Sequence, residues 1–376
     1  MPRAFFDDPD GTLAMLRDSV EALAARSPGP ASLRAKRARH GDSDAALWSA
    51  MAEAGWIGLL LPEDLGGAGL GLTELAVLSE TLGRSLIAEP VAAGAVFASI
   101  LLRDAAPSAE RDRLATGLAD GSLRISPAWR QPSQFSSARP LRAVEEASGI
   151  VLDGELHFVD AAASATDFLV VAASGDGALL LSLPASAGGV SIEQRDGVDG
   201  AAIGALRFDG VRVPVESVLA RAASADALTD NAVCHARVSA AAELAGIASK
   251  AVEMTIAYTK ERVQFGKPIA SFQAVQHRLV DMWSDAEFAC ASVVNAVTRQ
   301  DQEDAREARL AVLAAKARAG DAATTICRRA VHLHGAMGFT DEHDIGLYLK
   351  RAVALSATLG EPEALRLEFV ELERAA

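Results

Sequence analysis

Hydrophobic positions along the chain recur with two different periods. In "SDAALWSAMAEAGW", Leu47, Met51 and Ala54 fall three or four residues apart, on one face of a helix for which Ser43 is the expected N-cap. "IGLLLPEDLGGAGLGL" then reads as a loop punctuated by Pro and Gly, "TELAVLSETLGRSL" as a second helix, and 92–118 as more helix. From about residue 119 the texture changes to short β-rich runs separated by Gly, Asp and Pro: "GIVLDGELHFVDAAASATDFLVVAAS", "GALLLSLPA", "GVSIEQRDG" and "AIGALRFDGVRVPVESVL". Helical patterning returns near 224, with long runs expected over 226–263, 271–300, 303–334 and 342–358. The expected fold is α+β. It has an N-terminal α-helical domain over 1–118, a middle antiparallel β domain over 119–222 and a C-terminal α-helical domain over 223–376.

Composition narrows the function classes. Hydrophobic residues at 50% against 23% charged make a globular chain, and 376 residues suffice for two or three domains. The formal charge of −14 argues against nucleic acid as the main partner, because phosphate backbones call for basic surfaces. Cys234, Cys290 and Cys327 are odd in number, far apart and without metal-ligand spacing, so neither a disulfide framework nor a zinc site is expected. The opening "MPRAFFDDPDGTLAMLRDSV" is acidic and amphipathic, unlike a signal peptide. No run of apolar residues is long enough to span a bilayer. The expectation is a cytoplasmic protein without membrane insertion.

Two places carry candidate chemistry. "YTKERVQFGKPIASFQAVQHRLVDM", 258–282, reads as a helix ending near Arg262, a turn through "FGKPI" and a helix restarting at Ser271, an expected N-cap. That corner displays Arg262, Phe265, Lys267 and Gln273. In "HARVSAAAELAGIASKAV", 235–252, one carboxylate, Glu243, sits among small apolar residues. A carboxylate there is paired, turned to solvent or held desolvated as a base.

The 258–282 block resembles the signature of the acyl-CoA dehydrogenases, flavoproteins that oxidise the Cα–Cβ bond of acyl-CoA thioesters. "LWSAMAEAGWIGLLLPEDLGGAGLGLTELAVLSETLGRSL" (47–86) is similar to the family's N-terminal helical region, and "AVHLHGAMGFTDEHDIGLYLKRA" (330–352) to its C-terminal Gly-rich turn and following helix. The resemblance implies the family's α–β–α fold, including a C-terminal four-helix bundle. It also implies FAD as cofactor, acyl-CoA as substrate, an electron-transfer flavoprotein as acceptor, and a homotetramer or a heterotetramer with a second family subunit. It places Arg262 on the FAD pyrophosphate of a neighbouring subunit, Phe265 beside the cofactor and Gln273 in a hydrogen bond to it. His332, Leu333, His334, Gly335 and Ala336 stand at the family's Q-x-x-G-G, against the adenosine-diphosphate half.

The chain departs from the family pattern at several points. His332 and Ala336 replace the Gln and the second Gly. Phe158, Val159 and Asp160 stand at the flavin-covering W-[IV]-[ST], with Phe158 able to stack on the ring and Asp160 a carboxylate where a hydroxyl donor is usual. The L-[ST]-E-P segment is not recognisable, and Ser126 and Gln131 are its nearest candidates. Leu359 and Ala236 occupy the two positions at which the family carries its catalytic Glu. Glu243 lies seven residues after Ala236, two helical turns and about 10 Å further along the same face, and is therefore the expected base. Arg237 is the expected contact to the thioester end of the substrate. Three readings stay open: a dehydrogenase with Glu243 as base (or its oxidase variant), a partner subunit without its own base, and a scaffold that kept the fold and lost the chemistry.

Overall fold

The structure, a computed structural model, describes residues 1–130, 139–147, 149–300 and 304–375. The helix–sheet–helix order expected from the sequence is the order found. The first helices are α1 (Thr12–Arg26), α2 (Gly29–Arg39), α3 (Ala45–Glu53), α4 (Leu72–Arg84), α5 (Ala98–Asp104) and α6 (Ala109–Ala119). The strands follow as β1 (Ile125–Ala128), β2 (Arg142–Glu146), β3 (Gly149–Asp160), β4 (Asp167–Ser174), β5 (Gly177–Pro184), β6 (Val190–Asp196), β7 (Ala202–Val213) and β8 (Val218–Arg221). Helices then resume as α7 (Ala222–Glu261), α8 (Gln273–Gln300), α9 (Ala305–His334), α10 (Ile345–Ala357) and α11 (Pro362–Arg374). Between α7 and α8 lies a short ladder, β9 (Val263–Gln264) against β10 (Lys267–Pro268).

Four local expectations need correction. The N-cap of α3 is Asp44, whose carboxylate accepts from the Ala46 and Leu47 amides, while Ser43 donates instead to Ser164. A carboxylate can receive two amides at a helix start, where a hydroxyl usually serves one. The segment 92–118 is not uniformly α-helical, since a π-helical stretch, Val91–Phe97, precedes α5. The sheet is not purely antiparallel: β1 runs parallel to β4, and β2 meets β4 in parallel at Arg142 and Ala173. Tight hairpins force antiparallel pairing, but β1 and β4 are distant in sequence and free of that constraint. Finally, α11 lies beyond the last run read from the sequence, although Pro362 at its first turn is a standard start signal.

By compactness the chain forms two units. The first comprises Met1–Arg34, Leu72–Ala88 and Arg237–Ala376 and is helical apart from the β9–β10 ladder; within it α9 packs against α8, α10 and α11. The small-residue run of α7 serves close helix packing there. A Cβ on Gly246 would lie 2.0 Å from the Glu80 carbonyl and one on Gly83 2.2 Å from the Glu243 carbonyl, so α4 and α7 touch backbone to backbone. Ser79 and Ser239 share a 2.9 Å hydrogen bond along that seam.

The second unit comprises Ala35–Gly71 and Glu89–Ala236 and holds the sheet, in the order β6-β7-β3-β2-β4-β5-β8 with β1 on β4. Its core includes Leu152, Phe168, Leu181 and Phe208, from alternate positions of their strands. A buried Lys36–Glu89 ion pair, 2.6 Å, lies in this unit, with the Asp44 amide on the other Glu89 oxygen.

Candidate functional site

The corner after α7 is a tight hairpin. Phe265 and Gly266 both have positive φ, 54° and 78°, as a two-residue turn with the twist of its strands requires. Gly266 adopts this freely, whereas Phe265 does so under strain and with its ring 92% exposed. Phe272 supports it edge-on at 6.0 Å, and Lys267 lies over the Phe272 ring at 4.4 Å. Ser271 is not the N-cap of α8: its hydroxyl donates to the Pro268 carbonyl, and the helix begins at Gln273. Arg262 and Gln273 are exposed, and among the described residues neither side chain has a hydrogen-bond partner.

The second segment ends α9. Gly335 has φ 62° and ψ −139°, beyond the reach of an L side chain, and nothing lies within 4 Å of where its Cβ would be. A Cβ on Gly338, by contrast, would strike the Val331 carbonyl at 2.5 Å, so this glycine is needed for the fold. His332, Gly335 and Ala336 are exposed, Leu333 is half-buried and His334 is buried. Tyr258 of α7 donates to the His334 carbonyl at 3.0 Å, so both segments belong to one local structure. A free guanidinium, a free amide side chain, a strained exposed ring and an open glycine backbone suit a pyrophosphate-bearing aromatic cofactor such as FAD.

Glu243 is 5% exposed, and its Oε1 accepts from Arg351 Nε of α10 at 2.7 Å. Of the sequence alternatives, this is the paired, buried carboxylate. Arg237 is 3% exposed and holds Glu368 of α11 with both terminal nitrogens, at 3.2 and 2.9 Å, while its Nε donates to the Leu359 carbonyl at 3.0 Å. Glu368 also binds Arg309 at 2.8 Å. Burial works against its charge, but the bonds and charges of Arg237 and Arg309 outweigh that and hold Glu368 below the usual carboxylate range.

Leu359 itself is buried at φ 62°. The Ser356 carbonyl, three residues before it, and the Gly360 carbonyl just after it receive the fully buried Lys316 amine at 3.0 and 3.4 Å. Burial, helped by the Arg237 charge, brings Lys316 down to about 7. In this unit, then, Arg237 and Lys316 clamp the turn that carries Leu359.

In the second unit, Phe158 is 52% exposed and has φ 57°, at the register shift between Leu156 and Val159 in the β3–β7 pairing. Such a bulge re-aims a side chain, here an aromatic one, toward solvent. Ser126 is buried and donates to the Asp160 carbonyl at 2.6 Å, which ties β1 to the end of β3. Gln131 lies outside the described residues.

Sequence reasoning did not single out Arg351, Glu368, Lys316 or Tyr258. Arg351 was visible in "LYLKRA", but its pairing with Glu243 spans 108 residues and leaves no local spacing signal.

Comparison with known proteins identifies the family. Residues 11–122 fit the family description "Acyl-CoA dehydrogenase, N-terminal domain" and 227–371 fit "Acyl-CoA dehydrogenase, C-terminal domain". The chain is 30% identical to acyl-CoA dehydrogenase IpdE2 of Mycobacterium tuberculosis over 94% of each chain. Among solved structures, a variant of the Tcur3481–Tcur3483 steroid ACAD superposes with TM-score 0.86 at 30% identity, covering 96% of this chain and 98% of that one. The ChsE4–ChsE5 complex of Mycobacterium tuberculosis gives 0.88 at 24% identity over 99% of each chain, a likeness of fold. The chain belongs to the acyl-CoA dehydrogenase family, FAD-dependent oxidoreductases acting on CH–CH groups.

Proposed function

We propose that this chain is one subunit of a two-component acyl-CoA dehydrogenase that oxidises the Cα–Cβ bond of a bulky, steroid-type acyl-CoA thioester and passes electrons to an electron-transfer flavoprotein. Its corner, through Arg262, Phe265 and Gln273, and its turn, His332 to Ala336, hold FAD. The proton at the substrate Cα is removed by a carboxylate of the second subunit. Held by these residues, FAD would supply the acceptor for the hydride from the substrate Cβ.

One observation carries the division of labour: Glu243, the carboxylate standing in for the family's base, is enclosed by the bundle with Arg351 on it at 2.7 Å. A base must reach the substrate proton directly or through one water, and this carboxylate is already taken. Arg237, expected to meet the thioester, is likewise occupied by Glu368 and the Leu359 carbonyl. The steroid-type substrate and the two-component assembly are supported by the names of the structural relatives, one a steroid ACAD and one a complex of two ChsE chains.

The second reading, Glu243 as base after release from Arg351, rests on its burial among apolar residues of α7. The assembled enzyme carrying Glu243→Gln separates the two. Turnover within about threefold of the wild type, in protein that is folded and loaded with FAD, supports the partner's base. A loss of about 10²–10⁴-fold under the same conditions, the usual weight of a general base, assigns that role to Glu243.

A further inference from the structure

Tyr258 precedes Arg262 by four residues, and His334 immediately precedes Gly335, so the two FAD-holding segments leave the bundle at one place. There the Tyr258 and His334 rings stack, with centroids 4.3 Å apart and planes 24° apart. His343 completes the cluster, 4.5 Å from His334 and edge-on to Tyr258 at 6.3 Å. The proposed reaction makes no use of these three side chains.

The hydrogen bonds fix where the ring protons sit. His334 Nδ1 lies 2.7 Å from the Ala330 carbonyl, which can only accept, so Nδ1 carries the proton. Nε2 of the neutral ring is then a bare acceptor, buried and without a partner among the described residues. His343 is fixed the other way round: its Nδ1 accepts from the Ile345 amide at 3.1 Å, at the first residue of α10, so its proton sits on Nε2.

A second proton on His334 would create a buried N–H with no acceptor and a cation stacked beside another imidazole. Burial chiefly, with His343 adding to it against the opposing Ala330 bond, holds His334 below the ordinary histidine range. The titratable groups facing it are Tyr258 from α7 and His343 from the α9–α10 connection. Asp344, next to His343, is engaged by Arg34 at 2.8 Å, and no carboxylate among the described residues is hydrogen-bonded to either imidazole.

We propose that Tyr258, His334 and His343 form a proton-sensitive brace that positions the Arg262 corner against the Gly335 turn, so that FAD is held while His334 is neutral and loosened when it takes up a proton. The tie is the Tyr258 hydroxyl on the His334 carbonyl: a charged ring leaves the stack, and the carbonyl that begins the turn moves with it. His334 is thus a positioning residue, acting on the cofactor through the backbone of its own segment. The inference rests on the corner and turn being the FAD-holding segments.

The experiment measures FAD dissociation from the holoprotein by flavin fluorescence between about pH 8 and about pH 5.5. One proton coupled to release changes the dissociation constant by up to about tenfold per pH unit, and only below the ordinary imidazole range, so the wild type should weaken by several-fold, up to about tenfold, with the change falling in the lower part of this range. His334→Phe keeps the stack and the buried volume but cannot take up a proton, and its constant should stay within about twofold across the same range. His334→Asn, which can still donate to Ala330, should be equally flat and serves if the Phe variant does not fold. Arg262→Ala is the control. If it leaves FAD affinity unchanged, the assignment of the corner to FAD fails. If it weakens FAD while His334→Phe and His334→Asn follow the wild-type pH profile, the brace alone is overturned.

Discussion

Removing the Arg351 side chain tests the state of Glu243 without reference to turnover. In Arg351→Met the Glu243 carboxylate, 5% exposed in wild type, loses the guanidinium at 2.7 Å and gains no replacement. Breaking a fully buried pair from one side costs about 3–5 kcal/mol, and Arg351 retains 12% side-chain exposure, which shifts the expected cost below that range to about 2–4 kcal/mol. For a helical unit of this size, each kcal/mol shifts Tm by roughly 2–4 °C, which gives a fall of about 5–15 °C. The double variant Glu243→Gln/Arg351→Met removes both charges and should recover most of the loss, with a coupling of about 1–3 kcal/mol in the double-mutant cycle. Thermal unfolding followed by tryptophan fluorescence reads all four proteins. A fall of less than about 2 °C in Arg351→Met, or a double variant no better than the sum of the singles, would mean that the pair is loose. Glu243 would then be available as a base, and the division of labour would lose its support.

Buried titratable groups yield two pH signatures. Lys316, brought from 10.5 to about 7, binds a proton between those values when unfolded but not when folded, so it makes stability rise with pH from about 7 to about 10. Lys316→Met should abolish that rise in the difference of pH-resolved unfolding curves; a slope common to both proteins would contradict the burial argument. Glu80 of α4, with one oxygen lacking a partner among the described residues, is raised from 4.5 to about 7 by burial, against the opposing charges of Arg84, Arg3 and Arg17. Folded Glu80 therefore keeps a proton that the unfolded chain has lost, so its contribution is full below about 4.5 and is lost as pH climbs through 7. Glu80→Gln should accordingly be more stable than wild type at pH 8 and lose that advantage at pH 5. Gly246→Ala should cost more than about 3 kcal/mol or prevent folding, because its Cβ would meet the Glu80 carbonyl at 2.0 Å; a soluble variant with unchanged Tm would refute the close α4–α7 contact.

The fold was legible wherever period and punctuation agree. Long helical runs, Gly- and Pro-bounded strands and the return of helix after residue 222 follow from local chemistry that tertiary contacts reinforce. N-caps are the least legible feature: Asp44 takes the place of its neighbour Ser43 by accepting two amides, and the Ser271 hydroxyl is diverted to the Pro268 carbonyl. The site was legible in residue type and illegible in pairing. Glu243 was recognised as unusual from its apolar neighbours, but its partner lies 108 residues away. Arg237 likewise gave no hint of Glu368, on a helix that the periodicity reading did not reach. The small residues around Glu243 fit both a roomy pocket and a tight helix seam, and only the glycine geometry at 83 and 246 identifies the seam.

The central claim is that this chain holds FAD but depends on a second subunit to remove the substrate proton. The most direct measurement is the visible spectrum of the chain purified alone, loaded with FAD and titrated anaerobically with acyl-CoA thioesters, polycyclic ones included. A flavin band that no thioester bleaches until the second subunit is added is the predicted result. Full bleaching of the isolated chain, abolished by Glu243→Gln, would contradict it.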